Sequence, residues 1–188
     1  MGGPLIECVP NFSEGRDKDI IEAIINSITS IDGVSVLDVD MGADFNRTVV
    51  TMVGEPEAVL EAAIKSTGVA LKLIDMSKHT GEHARMGAID VVPFIPLSNS
   101  TIDDCIELSV RYANAASLNY GIPIYLYAES ARDERRVKLP DIRKGEYEGL
   151  KEKLSVPEWQ PDFGPSVFLP RSGAVSYTHL TLPTNIGV

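Results

Sequence analysis

The sequence predicts an α+β domain whose first half follows the order β-α-β-β-α-β. Three observations support this order. Apolar residues recur at helical spacing in two long segments, short β-branched runs flank these segments, and glycine, proline or asparagine lies at each transition. The same order is typical of the split βαβ, or ferredoxin-like, sheet. We therefore expect a ferredoxin-like βαββαβ sheet with helices on one face, extended by an extra helix and strand.

The six elements of this unit follow from local patterns. Short runs rich in apolar and β-branched residues are predicted to be strands: residues 5–9, 34–40, 47–53 and 88–96. Two segments with helical spacing are predicted to be helices: residues 17–30 and about 54–76. Pro56 near the start of the second helix fits the first turn, where a proline has no hydrogen bond to lose.

Pro93 lies inside the fourth predicted strand. Proline cannot donate to a strand ladder, so an edge strand tolerates it and a central strand does not. In the ferredoxin-like order the second and fourth strands are edges, and Pro93 agrees with this placement. Beyond it, a capped helix from Asn99 to about Asn119 and a strand over 124–127 extend the unit. Residues 155–174 are rich in proline and glycine and predict a covering loop or connector.

The end of the chain differs from the rest. Residues 175–188 (VSYTHLTLPTNIGV) carry no charge and show no amphipathic period. We interpret them as a non-native tail that follows a domain of residues 1–174. On this interpretation His179 has no function.

Composition limits the class of function. The net charge of −10 argues against a nucleic-acid surface. Six cationic side chains between Arg132 and Lys144 are a local exception, which either steers a polyanion or pairs with nearby acids. No apolar run approaches the ~20 residues of a membrane span, and no secretion signal is visible. Cys8 and Cys105 fit buried thiols in a reducing compartment. We expect a cytoplasmic protein that binds no nucleic acid and no membrane.

Two of the three histidines, His79 and His83, lie in the loop between the second helix and the fourth strand. Histidine is the default residue for proton transfer near neutral pH. The spacing matches an H-x-x-E-H zinc pattern, but Gly81 interrupts the helix face that such a site needs. A packing or surface histidine is the ordinary alternative, more so for His79, because Glu82 and Arg85 surround His83 with charge.

Three further features are candidates for the site. Asp38 and Asp40 end the second strand, where a carboxylate either orients an imidazole or begins a turn. Arg47 in the next turn either pairs with a substrate carboxylate or is solvated. The loop of residues 11–16 precedes a helix, whose exposed amides either favour an anion or are capped by Ser13 or Asp17.

Seven blocks of the chain together resemble the N-terminal subdomain of glutamate formimidoyltransferase, which in animals is the transferase half of formimidoyltransferase-cyclodeaminase. The blocks are IECVPNFSEG, LDVDMG, NRTVVTMVG, LIDMSKHTGEHARMGAIDVVPFIP, PIYLYAESA, LPDIRKGEYEGL and PDFGPSVFLPRSGA. They cover nearly all of residues 5–174. Several blocks in one order are a more specific signal than any single motif.

The resemblance implies transfer of a formimidoyl group from N-formimidoyl-L-glutamate to N5 of tetrahydrofolate, the co-substrate, in histidine degradation. It implies no metal. It places the catalytic histidine on His83 and an assisting aspartate on Asp40. The family's folate-contacting stretch falls on Gly164, Pro165, Ser166, Val167, Phe168, Leu169, Pro170, Arg171, Ser172 and Gly173. Arg171 and Ser172 depart from the aromatic or small residues that the family often has there.

The resemblance also implies a second subdomain, with the substrates in the cleft between the two. This chain ends before it, so we expect the fragment to bind folate weakly and to turn over poorly or not at all. For the full-length protein we expect a homo-oligomer that binds formimidoylglutamate and folate polyglutamate. Three alternatives stay open: a non-catalytic folate- or anion-binding module, a formylglutamate-using formyltransferase, and a metal-dependent hydrolase that uses both loop histidines.

Overall fold

The computed structural model describes residues 2–177, in which eight strands form one sheet. The strands are β1 (Leu5–Cys8), β2 (Asn11–Phe12), β3 (Val34–Gly42), β4 (Arg47–Gly54), β5 (Ile89–Val91), β6 (Phe94–Ser98), β7 (Ile124–Leu126) and β8 (Val175–Tyr177). The helices are α1 (Lys18–Thr29), α2 (Pro56–Leu73), α3 (Ile102–Tyr120), α4 (Leu139–Arg143) and α5 (Leu150–Ser155). Short 3₁₀ turns lie at Met76–Lys78, Ala128–Ser130, Glu134–Arg136 and Pro157–Trp159.

Two of the predicted strands are interrupted in the middle. β1 and β2 are separated at Val9–Pro10, and both pair with β4. β5 and β6 are separated at Val92–Pro93 and pair with β2 and β1 respectively. Counted as four strands, the spatial order is fourth, first, third, second, and every pairing is antiparallel. We propose on these pairings that the unit is the split βαβ fold.

The fourth predicted strand is an edge over only part of its length. β6 ends the sheet beside β1, whereas β5 is covered by β8. Pro93 lies in the break between β5 and β6, where its carbonyl accepts a hydrogen bond from Val9 N at 3.1 Å. The break explains why a proline fits here, because the ladder has no position for an N–H at this point.

β8 consists of three residues that the sequence analysis assigns to a tail. It lies between β5 and β7 and pairs parallel with both. The predicted domain boundary at residue 174 therefore falls just before a strand of the sheet, and Val175–Tyr177 belong to the fold. Three residues are too few to show a period, so pattern analysis missed them. The rest of the predicted tail, including His179, lies outside the described residues.

Local signals explain where the longer helices begin and end. The Asp17 carboxylate caps α1 by accepting hydrogen bonds from two N–H groups of its first turn, at 3.0 and 3.3 Å. α3 begins at a reciprocal capping box between Thr101 and Asp104. It ends at Gly121, whose φ of 65° lies in the left-handed region that glycine adopts without strain. No helix within residues 2–177 is both long and apolar enough to cross a membrane.

Burial along β4 distinguishes the two faces of the sheet. Thr48, Val50 and Met52 are fully buried, whereas Arg47 and Val49 are half-buried. Val50 and Met52 belong to the main core, together with the apolar faces of α1, α2 and α3. Since successive side chains of a strand point to opposite faces, the helices cover one face of β4. The other face, which carries Arg47, is more open.

A second apolar cluster packs the segment that follows β7 against the sheet. Its buried members are Met86, Val91, Tyr125, Tyr127, Ile142, Leu150, Leu154 and Ala174. Ile142 is the neighbour of Arg143 in α4, so this cluster holds Arg143 close to the histidine loop. The cluster thereby positions one of the cationic groups of the candidate site.

Candidate active site

Asn46 joins the three loops that build the site. Its backbone has a φ of 48°, and the residue is buried. Its Oδ1 accepts a hydrogen bond from Gly15 N, and its Nδ2 donates to Thr80 O, both at 2.9 Å. Asparagine tolerates the left-handed region better than most residues, because its short polar side chain bonds locally. A Cβ on Gly81 would lie 2.9 Å from Asn46 Cβ, so only glycine permits this approach.

His79 is a structural residue of this junction. Its Nε2 lies 3.0 Å from Asn46 O, and Arg85 Nε donates to its Nδ1 at 3.2 Å. A guanidinium only donates hydrogen bonds, so Nδ1 is the acceptor and Nε2–H donates to the carbonyl. Burial lowers the pKa of His79, despite the opposing effect of the Asn46 carbonyl. Because both ring nitrogens have partners, His79 has no free atom for proton transfer.

Arg85 does not act on His83 as the sequence analysis expects. Its guanidinium donates to Glu146 at 3.0 Å and to both carboxylate oxygens of Glu148 at 2.9 and 2.7 Å. The side chain is 7% exposed, and Glu82 is exposed. The charges that surround His83 therefore come from residues outside its own loop.

The imidazole of His83 contacts Arg47. Arg47 Nη1 lies 2.8 Å from Nε2 and 3.5 Å from Nδ1. Since the guanidinium is the donor, Nε2 is unprotonated and the ring proton resides on Nδ1. Burial, followed by the charges of Arg47 and Arg143, lowers the pKa of His83 from its usual 6.5 to about 4. At neutral pH the ring is uncharged, which is the protonation state of a general base.

Asp40 lies on the open face of the sheet without contacting His83. It is exposed, and its ladder partner is Val49, two residues from Arg47 on the same face. Within the described chain no hydrogen bond or ion pair joins Asp40 to His83, and the imidazole's polar partner is Arg47. The assisting role of Asp40 stays a prediction.

A buried ion pair holds the second cation of the site. Asp90 is 1% exposed and pairs with Arg143, while its Oδ1 accepts a hydrogen bond from Met86 N at 2.9 Å. Burial raises the pKa of Asp90, against the opposing effect of Arg143. Arg143 Nε is buried without a hydrogen-bond partner. Asp90 is not among the site residues predicted from the sequence. A carboxylate inside an apolar strand was the signal that could have identified it.

Arg47 and Arg143 both line a cavity of about 460 Å³. Most of the other lining residues are apolar: Val9, Val91, Pro93, Tyr127, Ala128, Val137 and Leu139. A cavity with apolar walls and two guanidinium groups suits a ligand that combines an apolar part with an anion. A second cavity, of about 480 Å³, is lined by His79, Arg85 and the two glutamates bound to Arg85.

The basic segment that begins at Arg132 forms internal ion pairs. Arg136 is buried and donates to Asp162 at 2.8 Å, and Arg135 donates to Asp133 at 2.6 Å. Arg143, as described above, pairs with a buried aspartate. These ion pairs favour the interpretation that the cationic charges are neutralised, rather than forming a surface that steers a polyanion. Only Asp133 of the three acidic partners lies within the segment; Asp162 and Asp90 lie outside it.

The stretch predicted to contact folate, residues 164–173, runs along the surface beside α5 and α2. Ser166 Oγ donates to Leu154 O at 2.6 Å, and Pro170 O accepts from Tyr147 Oη at 2.5 Å. The stretch lines neither the cavity at His79 nor the cavity at Arg47 and Arg143. Its exposed members are Gly164, Pro165, Val167, Pro170 and Arg171, and its half-buried or buried members are Ser166, Phe168, Leu169, Ser172 and Gly173. Its folate contacts stay a prediction.

The zinc pattern lacks its geometry. Residues 79–83 follow a 3₁₀ turn that ends at Lys78, so the two histidines share no helix face. The nitrogens of His79 are already bonded, and Nε2 of His83 faces a cation. Within residues 2–177 no group of three or more His, Cys, Asp or Glu side chains could hold a metal ion.

The model of one protein family matches the chain over residues 5–178, and its description is "formiminotransferase domain, N-terminal subdomain". The chain belongs to this family. The family resemblance in the sequence is thereby confirmed, and the match includes β8. The histidine loop, the Arg47 turn and the basic segment all lie inside the matched formiminotransferase region.

Curated relatives of this chain are transferases by name. It is 53% identical over 170 residues to formimidoyltransferase-cyclodeaminase of Gallus gallus, covering 90% of this chain and 31% of the relative. It is 45% identical over 165 residues to glutamate formimidoyltransferase of Thermoplasma acidophilum, covering 87% and 54%. The same-named enzyme of Streptococcus pyogenes serotype M1 is 42% identical over 172 residues, covering 92% and 58%. The chain thus spans about a third to somewhat over half of these relatives.

Proposed function

We propose that this chain supplies the catalytic histidine of a glutamate formimidoyltransferase. The enzyme would transfer a formimidoyl group from N-formimidoyl-L-glutamate to N5 of tetrahydrofolate, in histidine degradation. The observation that carries the proposal is the contact of the uncharged His83 ring with Arg47, which lines a cavity together with Arg143, in a chain of this family. The names of the relatives support the same reaction class.

The reaction needs a group that moves one proton twice. Attack of N5 on the formimidoyl carbon forms a tetrahedral intermediate, and N5 must then lose its proton. When the bond to the glutamate nitrogen breaks, that nitrogen must gain one. A neutral imidazole can accept the first proton and return it in the second step, a contribution of typically ~10²–10⁴ in rate. His83 is uncharged at neutral pH, is only half-buried and contacts Arg47, which lines the cavity, so it fits this role.

Both substrates carry carboxylates, and the reaction brings them side by side. Arg47 and Arg143 supply positive charge on the cavity wall, and the apolar residues between them suit an apolar or planar portion. Holding the two reactants in register supplies the larger part of the rate gain in reactions of this type. Asp40 and residues 164–173 keep their predicted roles within this proposal.

Replacing His83 by alanine in the full-length protein tests the proposal. We expect kcat to fall by roughly 10²–10⁴, while the dissociation constant for tetrahydrofolate changes little. Steady-state formimidoyl transfer and direct titration of tetrahydrofolate measure the two quantities. Glu82→Ala is the matched control, because Glu82 is the exposed neighbour in the same loop.

Two results would contradict the catalytic role. An equal loss in kcat and folate binding would make His83 a binding group, and unchanged turnover would remove it from the reaction. The same assay with N-formyl-L-glutamate as donor distinguishes a formyltransferase. Binding of tetrahydrofolate by a wild-type protein that transfers neither group would instead establish a non-catalytic folate-binding module.

A further inference from the structure

Arg47 differs from the other buried or half-buried arginines of this region. Arg85, Arg136 and Arg143 each donate to at least one carboxylate. Within the described chain, Arg47 forms no ion pair or hydrogen bond with a carboxylate; its hydrogen-bonding neighbour is His83, and it affects Asp90, the partner of Arg143, only through its charge. A half-buried guanidinium that faces an uncharged ring is electrostatically unbalanced. A bound anion would supply the missing charge.

The position of Arg47 allows such an anion to reach it. Arg47 begins β4 on the face of the sheet that the helices leave open. Its side chain lines the cavity of about 460 Å³ together with Arg143. Arg143 pairs with Asp90, and its Nε is buried without a hydrogen-bond partner. A carboxylate in this cavity would therefore meet two guanidinium groups, one of which is in contact with the histidine.

The contact with Arg47 also blocks the histidine. The only ring nitrogen with a free electron pair is Nε2, because Nδ1 carries the proton. Arg47 Nη1 occupies that electron pair at 2.8 Å. In this arrangement Nε2 cannot accept a proton from a substrate amine, so the guanidinium has to leave before the ring can act as a base.

We propose that Arg47 is a positioning residue that binds the carboxylate of the acidic donor substrate and thereby releases Nε2 of His83. The base becomes available only when the donor is present. This inference rests on the proposed function. It assigns the carboxylate of the proposed donor to the cavity between Arg47 and Arg143.

The charged groups around the imidazole decide its response to the donor. Arg47 of β4 and Arg143 of α4 are the cations that lower its pKa, in addition to burial. Asp90 of β5 is bound to Arg143, and Arg85 is bound to Glu146 and Glu148. A carboxylate between the two cations would remove the Arg47 hydrogen bond and offset both charges. The pKa of His83 would then move upward, towards the value that suits catalysis near neutral pH.

Titration of the His83 ring by NMR in the full-length protein tests this coupling. Glutarate serves as the probe, because it has carboxylates but no group to transfer, and His83→Gln assigns the signal. In the wild type we expect saturating glutarate to raise the midpoint by at least about one unit, a tenfold change in proton affinity. In Arg47→Gln we expect a higher midpoint without glutarate and little further change on its addition.

Kinetics of the same proteins give an independent readout. Arg47→Gln should raise KM for the donor by roughly ten- to a hundredfold, the usual effect of losing a charge-assisted hydrogen bond, and should change KM for tetrahydrofolate much less. Arg47→Lys keeps the charge and should recover part of the donor affinity. Arg111→Gln is the matched control, because Arg111 is exposed on α3 and pairs with Glu57. It should retain the wild-type midpoint and the glutarate response.

The outcomes separate this inference from the function on which it rests. Absence of transfer by the wild type would contradict the proposed function. Wild-type transfer with a His83 midpoint that glutarate leaves unmoved would contradict the role of Arg47 alone. The wild-type titration decides this point even if Arg47→Gln fails to fold. An equal rise in KM for both substrates would show that Arg47 supports the loop and does not select the donor.

Discussion

His83 shows how the surroundings of one residue determine its protonation state. The ring is half-buried, and two arginines lie nearby, so the folded protein disfavours the imidazolium form. An isolated histidine titrates close to neutrality. The shift to a pKa of about 4 therefore reflects the free site, before any anion has entered it.

The lowered pKa of His83 predicts a specific dependence of stability on pH. Between about pH 6.5 and pH 4 the unfolded chain binds a proton at this ring that the folded chain does not. The stabilisation is complete above the upper value and is lost as the pH falls through this window. We expect His83→Gln to lose less stability than the wild type between about pH 7 and pH 5. The difference should be on the order of 1 kcal/mol, because water screens the half-exposed ring.

Urea unfolding followed by the fluorescence of Trp159, the single tryptophan, measures this difference. Glutamine keeps an oxygen that can accept from Arg47, so the comparison isolates the titration. His79 has a lowered pKa as well, but it is present in both proteins and cancels. A variant that loses as much stability as the wild type on acidification would show that His83 titrates normally in the folded chain.

Among the elements, β8 is a strand of only three residues that joins two other strands to each other. Its residues pair with β5 on one side and β7 on the other, and β7 has no other strand partner in the described sheet. Ser176 is completely buried, and its carbonyl accepts from Val92 N at 3.3 Å. Removal of β8 would therefore separate β7 from the sheet and expose the second apolar cluster.

Truncation after Ala174 tests the contribution of β8. We expect a chain of residues 1–174 to show much faster amide exchange at Tyr125 than a chain of residues 1–177, because the ladder partner of β7 is missing, whereas the amides of Ile124 and Leu126 donate to Phe163 and Asp162. α1, remote from β8, should exchange equally in both. Equal protection of β7 in the two chains would mean that β8 contributes nothing to the sheet, and that the predicted boundary at residue 174 was adequate.

Length explains which elements the sequence could predict. α1 is predicted over residues 17–30 and found over Lys18–Thr29, because twelve residues repeat the helical spacing often enough to be recognised. β8 has three residues and was missed. The fourth strand was predicted over residues 88–96 with an interruption at Pro93, and the structure shows the break at that position. Propensity locates elements, whereas pairing across the sheet decides where short strands begin and end.

The residues of the site could be predicted from the sequence, but the contact between them could not. His83 could be selected from its loop position and from the family resemblance, and Arg47 was a candidate for binding a carboxylate. Their contact joins residues 36 positions apart in the chain. It depends on the φ of 48° at Asn46, a conformation that the sequence permits without requiring it. No local pattern reports such a contact.

At the scale of the whole molecule, internal pairing accounts for most of the buried charge. Arg85, Arg136 and Arg143 are neutralised by carboxylates, and the net charge of the chain is −10. An acidic protein repels anionic substrates at long range. Binding of the two anionic substrates that we propose would therefore depend on local cations, and among the described cavity residues Arg47 is the cation without an ion pair to a carboxylate. The cavity lies on the open face of β4, which suits a site completed by further protein.

The open face predicts that this chain is a poor catalyst by itself. The chain covers 31% of the Gallus gallus relative and 58% of the Streptococcus pyogenes relative, and His83 and Arg47 are half-exposed. Precise positioning of two substrates needs walls on both sides. We expect kcat/KM for formimidoyl transfer by residues 1–177 to lie at least about a hundredfold below that of the full-length protein. Steady-state assays of both, with the His83→Ala chain as blank, measure the ratio. Rates within a few-fold of each other would show that these residues already build the complete site.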